Sequence, residues 1–328
     1  MTEMQRMTLA TKPTAQISYT FHPPSSSTPT ENNKNTLIVF LNGLGLPQIS
    51  WFPVIAKLQE QTALDLPGIL TYDRYGQGVT TDRDPENPDA HDCLDLVKDL
   101  RQLLTQITTE KLGIHALDEV DILFVANSIG CALARLYAQE YPGSVAGMVL
   151  LDSVLANSDF VSIFPDPDAA EFKQALMPET ITLEILRATR ARVRAIFHPV
   201  DGQGGKAEGL SRANLPSLLP QSDGPVLLGR GDKGKSNGPF VTVVGHDFEA
   251  FARESEKMGC PVELSMAFVN PFWRAYNEGL VKITQAGRAK GPVTAEGAGH
   301  FVQKDRPDLV VNEIVEILKS VYGDRQST

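Results

Sequence analysis

Ser128 stands in the hexapeptide Val125-Ala126-Asn127-Ser128-Ile129-Gly130, between an apolar, strand-like run at residues 121–125 and a helix-like run at residues 131–140. A strand that turns this abruptly into a helix strains the backbone at the serine, and the strain is tolerated only where the residues two before and two after are small. Ala126 and Gly130 meet that demand, with alanine adding one methyl group to the all-glycine form of the pattern. A serine exposed on such a turn is a candidate nucleophile, provided that a neighbouring base removes its proton in the transition state. The competing reading is a plain helix N-cap, the commoner role of a serine between a strand and a helix.

The elements around this turn must bring partners to it. Thr36-Leu37-Ile38-Val39-Phe40-Leu41 is an uninterrupted apolar run of the kind that forms a parallel strand covered on both faces. It ends in Asn42-Gly43-Leu44-Gly45, a glycine-rich turn able to aim a backbone N–H at a developing oxyanion. Ile69-Leu70-Thr71-Tyr72-Asp73-Arg74 reads as another short strand that turns out through Tyr75-Gly76-Gln77-Gly78. Near the C-terminus Pro292-Val293-Thr294-Ala295 leads into Glu296-Gly297-Ala298-Gly299-His300-Phe301, and a helix opens near Pro307. His300 therefore lies on a loop after a late strand.

The succession of an oxyanion turn, an Asp-Arg-x-Gly-x-Gly turn, a serine elbow and a late Gly-His before the final helix resembles the α/β-hydrolase superfamily over about residues 36–322. The resemblance implies an α/β fold, a doubly wound and mostly parallel sheet, with Ser128 as nucleophile, His300 as base and acyl transfer as the chemistry. It also implies an oxyanion hole formed by the backbone N–H groups of Leu44 and Ile129. Most relatives carry His-Gly where this chain has Asn42-Gly43, a departure that leaves the backbone donors in place but alters the hydrogen bonding around the turn. Asp73 and Arg74 are expected to hold the active-site loops by charge-assisted hydrogen bonding, not to take part in the reaction.

The remaining histidines fit the base less well. His22 precedes two prolines, His91 and His115 flank a predicted helix, His198 precedes Pro199, and His246 ends a strand without standing in the late-loop position. The carboxylate that would orient His300 is open between two aspartates that each follow a strand, Asp152 after Met148-Val149-Leu150-Leu151 and Asp247 after Val243-Val244-Gly245-His246. Most relatives place the acid after the later strand, three residues past a glycine, whereas Asp247 is two past Gly245 and is well placed to N-cap the helical run that follows. A subset of the superfamily uses the position of Asp152, for which the competing reading is a turn-forming aspartate. Glu249 is a third, weaker candidate.

Strand and helix signals alternate to about Ser153, lapse through a Pro-, Gly- and Ser-rich stretch, and resume near Phe240. The division expected is an N-terminal part of the core at residues 1–153, an inserted lid at residues 154–236 with a helical run at 182–197, and a C-terminal part of the core at 237–328. Within the lid, residues 202–206 and 229–238 carry loop signals, and residues 23–35 read as a long surface loop. A formal charge of −10 over 328 residues supplies no basic stripe for nucleic acid. Cys93, Cys131 and Cys260 are too few and too scattered for a disulfide framework and fit a reducing compartment. There is no apolar leader and no run long enough to span a bilayer, so a soluble, cytoplasmic protein is expected, its oligomeric state left open.

No phosphate-binding loop, metal-ligand cluster or dinucleotide fingerprint occurs, so neither a cofactor nor a metal is expected. Tyr75, Phe164, Phe197 and Trp273, with Trp51 and Tyr276, are candidates to line an apolar pocket for a small-molecule substrate, against the plainer reading of aromatic core packing. The expected function is that of a serine hydrolase of small to medium apolar carboxylic esters or lactones. The alternatives are an acyl transferase or thioesterase acting on a biosynthetic intermediate, and a ligand-binding module with vestigial turnover. Epoxide hydrolases and haloalkane dehalogenases of this fold need a carboxylate where Ser128 stands.

Overall fold

The apolar runs become the inner strands of one eight-stranded sheet in a computed structural model, which describes residues 3–25, 35–61, 64–229 and 237–325. The strands are β1 (Gln5–Leu9), β2 (Lys12–His22), β3 (Thr36–Leu41), β4 (Gly68–Asp73), β5 (Asp121–Asn127), β6 (Val145–Leu151), β7 (Phe240–His246) and β8 (Ala289–Ala295). They lie in the order β1-β2-β4-β3-β5-β6-β7-β8. From β4 to β8 every pairing is parallel, whereas β1 and β2 form an antiparallel edge through β2 to β4.

The helices are α1 (Phe52–Gln59), α2 (Cys93–Ile107), α3 (Ile129–Glu140), α4 (Leu183–Phe197), α5 (Phe248–Lys257), α6 (Asn270–Leu280) and α7 (Pro307–Arg325), with shorter turns between them. Side chains alternate across each strand, so a strand covered on both faces needs apolar residues at every position. Along β3, Leu37, Val39 and Leu41 enter the core under α2 and α3, while Ile38 and Phe40 enter the core under α1 and α7. Burial of side chains of this size contributes roughly 1.5–3 kcal/mol each. This explains why the strand reads as a continuous apolar run. Among the described residues no helix is long and apolar enough to cross a membrane.

Strand order reverses at β3, whose two neighbours are β4 and β5, and crevices at such a switch point open at the carboxyl ends of the strands. Register brings those ends level, pairing Leu41 with Ala126, Asn127 with Leu151, Leu151 with Val244 and His246 with Ala295. The chain leaves the sheet after β6 and returns at β7, and α4 is the long helix of that excursion. Residues 202–206, read as a loop, form one that folds back on α4, with Gly202, Gln203 and Gly204 N–H groups donating to His198, Ala195 and Ile196 carbonyls at 2.8–2.9 Å. Residues 26–34 of the expected surface loop and 230–236 of the second loop stretch lie outside the described residues.

The glycine after the elbow serves this packing directly. A Cβ at Gly130 would lie 2.4 Å from the carbonyl oxygen of Leu41, at the end of the neighbouring strand. Gly130→Ala is therefore expected to destabilise the fold by about 1–3 kcal/mol through overpacking. Urea unfolding measures this, and an unchanged midpoint would show that α3 can move off β3 without cost.

Candidate active site

Ser128 has φ 55° and ψ −120°, an unfavourable backbone conformation for a residue with a side chain. It is held there by hydrogen bonds at both ends of its backbone: its N–H donates to Leu151 O at 3.2 Å, and its carbonyl accepts from Cys131 and Val154 N–H groups at 3.0 and 3.1 Å. Its hydroxyl makes no cap hydrogen bond to α3, so the plain N-cap reading does not apply. Ile129 opens α3, where backbone N–H groups have no intrahelical partner.

The structure separates the two candidate acids. Asp152 is fully buried, and its Oδ2 lies 2.5 Å from His300 Nδ1. Its backbone also takes a positive φ, 43°, while its N–H donates to Val244 O at 2.7 Å. Burial alone would raise the proton affinity of this carboxyl, but the His246 and His300 imidazoles outweigh burial and hold its pKa at about 2. Asp247 instead accepts the N–H groups of Glu249 and Ala250 at 2.9 and 3.0 Å, capping α5, and that of Gly297 at 3.3 Å. Glu249 is exposed and paired with Arg253 at 3.1 Å. The capping alternative thus describes Asp247, and neither it nor Glu249 reaches His300.

Three further residues hold the loop that carries His300. Asn127 Nδ2 donates to the carbonyls of Leu151 at 3.1 Å and His300 at 3.0 Å, tying the end of β5 to the loop after β8. Gln303 Nε2 donates back to Asn127 Oδ1 at 3.3 Å. Glu254 on α5 accepts the His300 N–H at 2.7 Å, and its carboxylate fills the space that a Cβ at Gly299 would need.

Asn42 answers the departure in the first turn. Its Nδ2 donates to Tyr72 O at 2.8 Å and Gln77 Oε1 at 2.9 Å, and its Oδ1 accepts the Trp51 indole N–H at 2.8 Å, so the buried amide is satisfied at both ends. Arg74 donates to the carbonyls of Asn42 and Gly43 at 2.8 and 3.2 Å. It also pairs with Glu208, a buried carboxylate of the 154–236 excursion whose other oxygen accepts the Gly45 N–H at 2.5 Å. Asp73 accepts the Gln48 and Val79 N–H groups at 2.6 and 3.1 Å. Both charged residues of the Asp-Arg turn hold loops, each through its own partners.

Leu44, Ser128, Ile129 and His300 bound one cavity of about 280 Å³. Phe164, Phe197 and Trp273 stand on its walls, together with Phe160, whose ring centroid lies 5.7 Å from that of Phe197. Tyr75 does not reach this cavity. It is buried beneath β1 and β2 beside Leu9, Ile17 and Leu96, with the Lys12 ammonium 5.5 Å from its ring centroid, because the turn after β4 directs it towards the antiparallel edge. Trp51 packs on Phe40 in the opposite core, and the Tyr276 hydroxyl oxygen accepts from Arg135 Nη1 at 3.0 Å. These three are core aromatics, which the sequence could not separate from pocket aromatics because a large aromatic side chain serves either setting.

No curated protein matches the chain in sequence. A family model described as the alpha/beta hydrolase family matches residues 38–313. Among solved structures, a protein designated a lipase from Acinetobacter baumannii aligns with TM-score 0.56 and 17% identity, over 98% of this chain and 93% of its own. A Vigna radiata epoxide hydrolase mutant aligns with TM-score 0.57 and 12% identity, covering 97% of this chain and 99% of its own. A thermophilic esterase from Thermogutta terrifontis aligns with TM-score 0.50 and 16% identity, covering 98% and 99%. At these identities the likeness is one of fold.

The two aspartates give opposite expectations. Asp152→Asn removes the charge that faces His300 and is expected to lower kcat about 10⁴-fold in an ester-hydrolysis assay. Asp247→Asn keeps a good capping residue and should leave the rate within a few-fold of wild type. Equal losses, with both variants folded by circular dichroism, would contradict this assignment.

Proposed function

Because the chain belongs to the alpha/beta hydrolase family, we propose that it is a serine hydrolase that cleaves a small to medium apolar carboxylic ester or lactone through an acyl-enzyme on Ser128. The observation that carries this reading is the buried Asp152 carboxylate 2.5 Å from His300 Nδ1, with His300 and the strained Ser128 bounding one predominantly apolar cavity. A carboxylate at Nδ1 leaves Nε2 as the basic nitrogen of the ring.

In the proposed reaction the Ser128 hydroxyl attacks the ester carbonyl carbon while His300 Nε2 takes its proton. The oxygen of the carbonyl gains negative charge, which the Leu44 and Ile129 N–H groups stabilise, each at about 3 kcal/mol. Asp152 stabilises the imidazolium, which then protonates the leaving alkoxide. Water attacks the acyl-enzyme by the same steps in reverse roles, His300 accepting its proton, and releases the acid and free Ser128. In a lactone the leaving oxygen remains tethered to the acyl group, so a single hydroxy acid departs.

Residues 154–236 are proposed to act as the lid, between core segments at 1–153 and 237–328. Support comes from Phe160, Phe164 and Phe197, which belong to that excursion and stand on the cavity wall beside Trp273 from the core. The carbon-rich wall favours an apolar acyl group, and a volume of about 280 Å³ is in the range of a small ligand. Cys93, Cys131 and Cys260 are free and buried, in keeping with the intracellular setting that this reading assumes.

Ser128→Ala is expected to abolish labelling by a fluorophosphonate probe and to lower ester turnover by about 10⁴-fold or more, with the melting temperature preserved. Retention of turnover by the purified variant would remove the serine mechanism. Phe164→Ala and Phe197→Ala should change kcat/KM unequally across esters of increasing acyl length, with the larger substrates gaining most. A set of lactones and linear p-nitrophenyl esters measures both, and a uniform change for every substrate would take these side chains off the specificity wall.

A further inference from the structure

His246, dismissed by its position in the sequence, is the second imidazole on the buried acid. It ends β7, and its Nδ1 lies 2.8 Å from Asp152 Oδ1, the oxygen not used by His300. Its backbone N–H points to the same Oδ1 at 3.3 Å. On the far side of the ring, Nε2 lies 3.2 Å from Asn270 Oδ1. The orientation of that amide follows from its other contacts: Asn270 Nδ2 donates to Phe248 O at 3.0 Å and to Met266 Sδ at 3.2 Å, and a flipped amide would set two oxygens against each other.

Both ring nitrogens of His246 therefore face acceptors. A neutral imidazole carries one N–H and can satisfy only one of them, whereas an imidazolium satisfies both. The ring also stacks on the face of Phe251, with centroids 4.1 Å apart and planes at 16°, a contact that favours a cation.

We propose that His246 is held as an imidazolium that shares the Asp152 carboxylate with His300, making it a positioning residue for the acid. His246 is not among the residues bounding the cavity, so it acts through Asp152 and not on the substrate. Its hydrogen bond to Oδ1 fixes the carboxylate rotation that presents Oδ2 to His300, and its positive charge offsets part of the negative charge that His300 meets. The ionisable groups around it are Asp152 just after β6, His300 from the loop after β8, Glu254 and Glu249 from α5, Asp247 beside it, and Arg274 and Glu278 from α6 across the cleft outside the ring. Burial opposes the cation, but the Asp152 charge and the hydrogen bonds to Asp152 and Asn270 outweigh it and raise the proton affinity of the ring. Burial instead lowers that of His22 and His91, which leaves them neutral near pH 8.

The direct test is long-range ¹H–¹⁵N spectroscopy of the histidine side chains. At pH 8 one imidazole should carry protons on both nitrogens, and its signal should vanish in His246→Gln. In Asp152→Asn, which loses the counter-charge, the same ring should surrender its second proton at a pH lower by at least one unit. A wild-type spectrum at pH 7 with no doubly protonated buried imidazole would overturn the proposal, and this arm requires no turnover. The second arm rests on the proposed hydrolase reading. In His246→Gln the full charge of Asp152 acts on His300 and holds a proton there more tightly, so the acid limb of kcat/KM should move upward by about 1–2 pH units. An acid limb that stays in place in the folded variant would overturn the role through Asp152. A protein that hydrolyses no ester would refute the hydrolase reading while leaving the spectroscopic result to decide the charge on His246.

Discussion

A carboxylate with no access to water is costly unless its charge is met by hydrogen bonds and opposite charge, and at Asp152 that requirement organises the centre of the molecule. One oxygen faces His300 and the other faces His246, so the acid joins the loop after β8 to the end of β7. Its left-handed backbone and the hydrogen bond from its N–H to Val244 bring the charge in across the top of β7. Removing either imidazole would leave a buried charge short of a partner.

The elbow depends on the same strand ends. Ser128 N–H donates to Leu151 O, the residue before Asp152, and Asn127 reaches both Leu151 and the His300 backbone. The proposed nucleophile, base and acid positions are thus linked by a backbone hydrogen bond between the ends of β5 and β6 and by the Asn127 side chain, which ties both to the late loop. The close approach of Gly130 to Leu41 then brings the Asn42–Gly45 turn beside the serine.

The excursion between β6 and β7 contributes more than a cavity wall. Glu208 enters the core from it, pairs with Arg74 and accepts the Gly45 N–H, while Arg74 and Gln77 together hold the Gly43 carbonyl. The backbone of the proposed oxyanion turn is therefore braced by a residue 163 positions away in sequence. Loosening the excursion at Glu208 would disturb the turn as well as the wall, and a buried carboxylate paired with a buried guanidinium makes that coupling stiff.

The sequence by itself marked the strands from β3 to β8 and their succession along the chain, but not the antiparallel edge of β1 and β2. Continuous apolar runs at β3, β5 and β6 reflect strands buried on two faces, the helical period marks α4 at Leu183–Phe197, and the small residues around Ser128 anticipate its strained turn. These signals are local, because each records the surroundings of a few consecutive residues. Only the tertiary structure shows what faces Asp152 and Asp247, which both follow strands: two imidazoles in one case and helix N–H groups in the other. It likewise placed Phe160 on the cavity wall, sent Tyr75 to the antiparallel edge and brought His246, Asn127, Glu254 and Glu208 to hydrogen bonds with Asp152, the His300 loop and the Gly45 turn. Those assignments depend on side chains that meet across strands and from the long excursion, and such meetings leave no periodicity or spacing in the chain to be read.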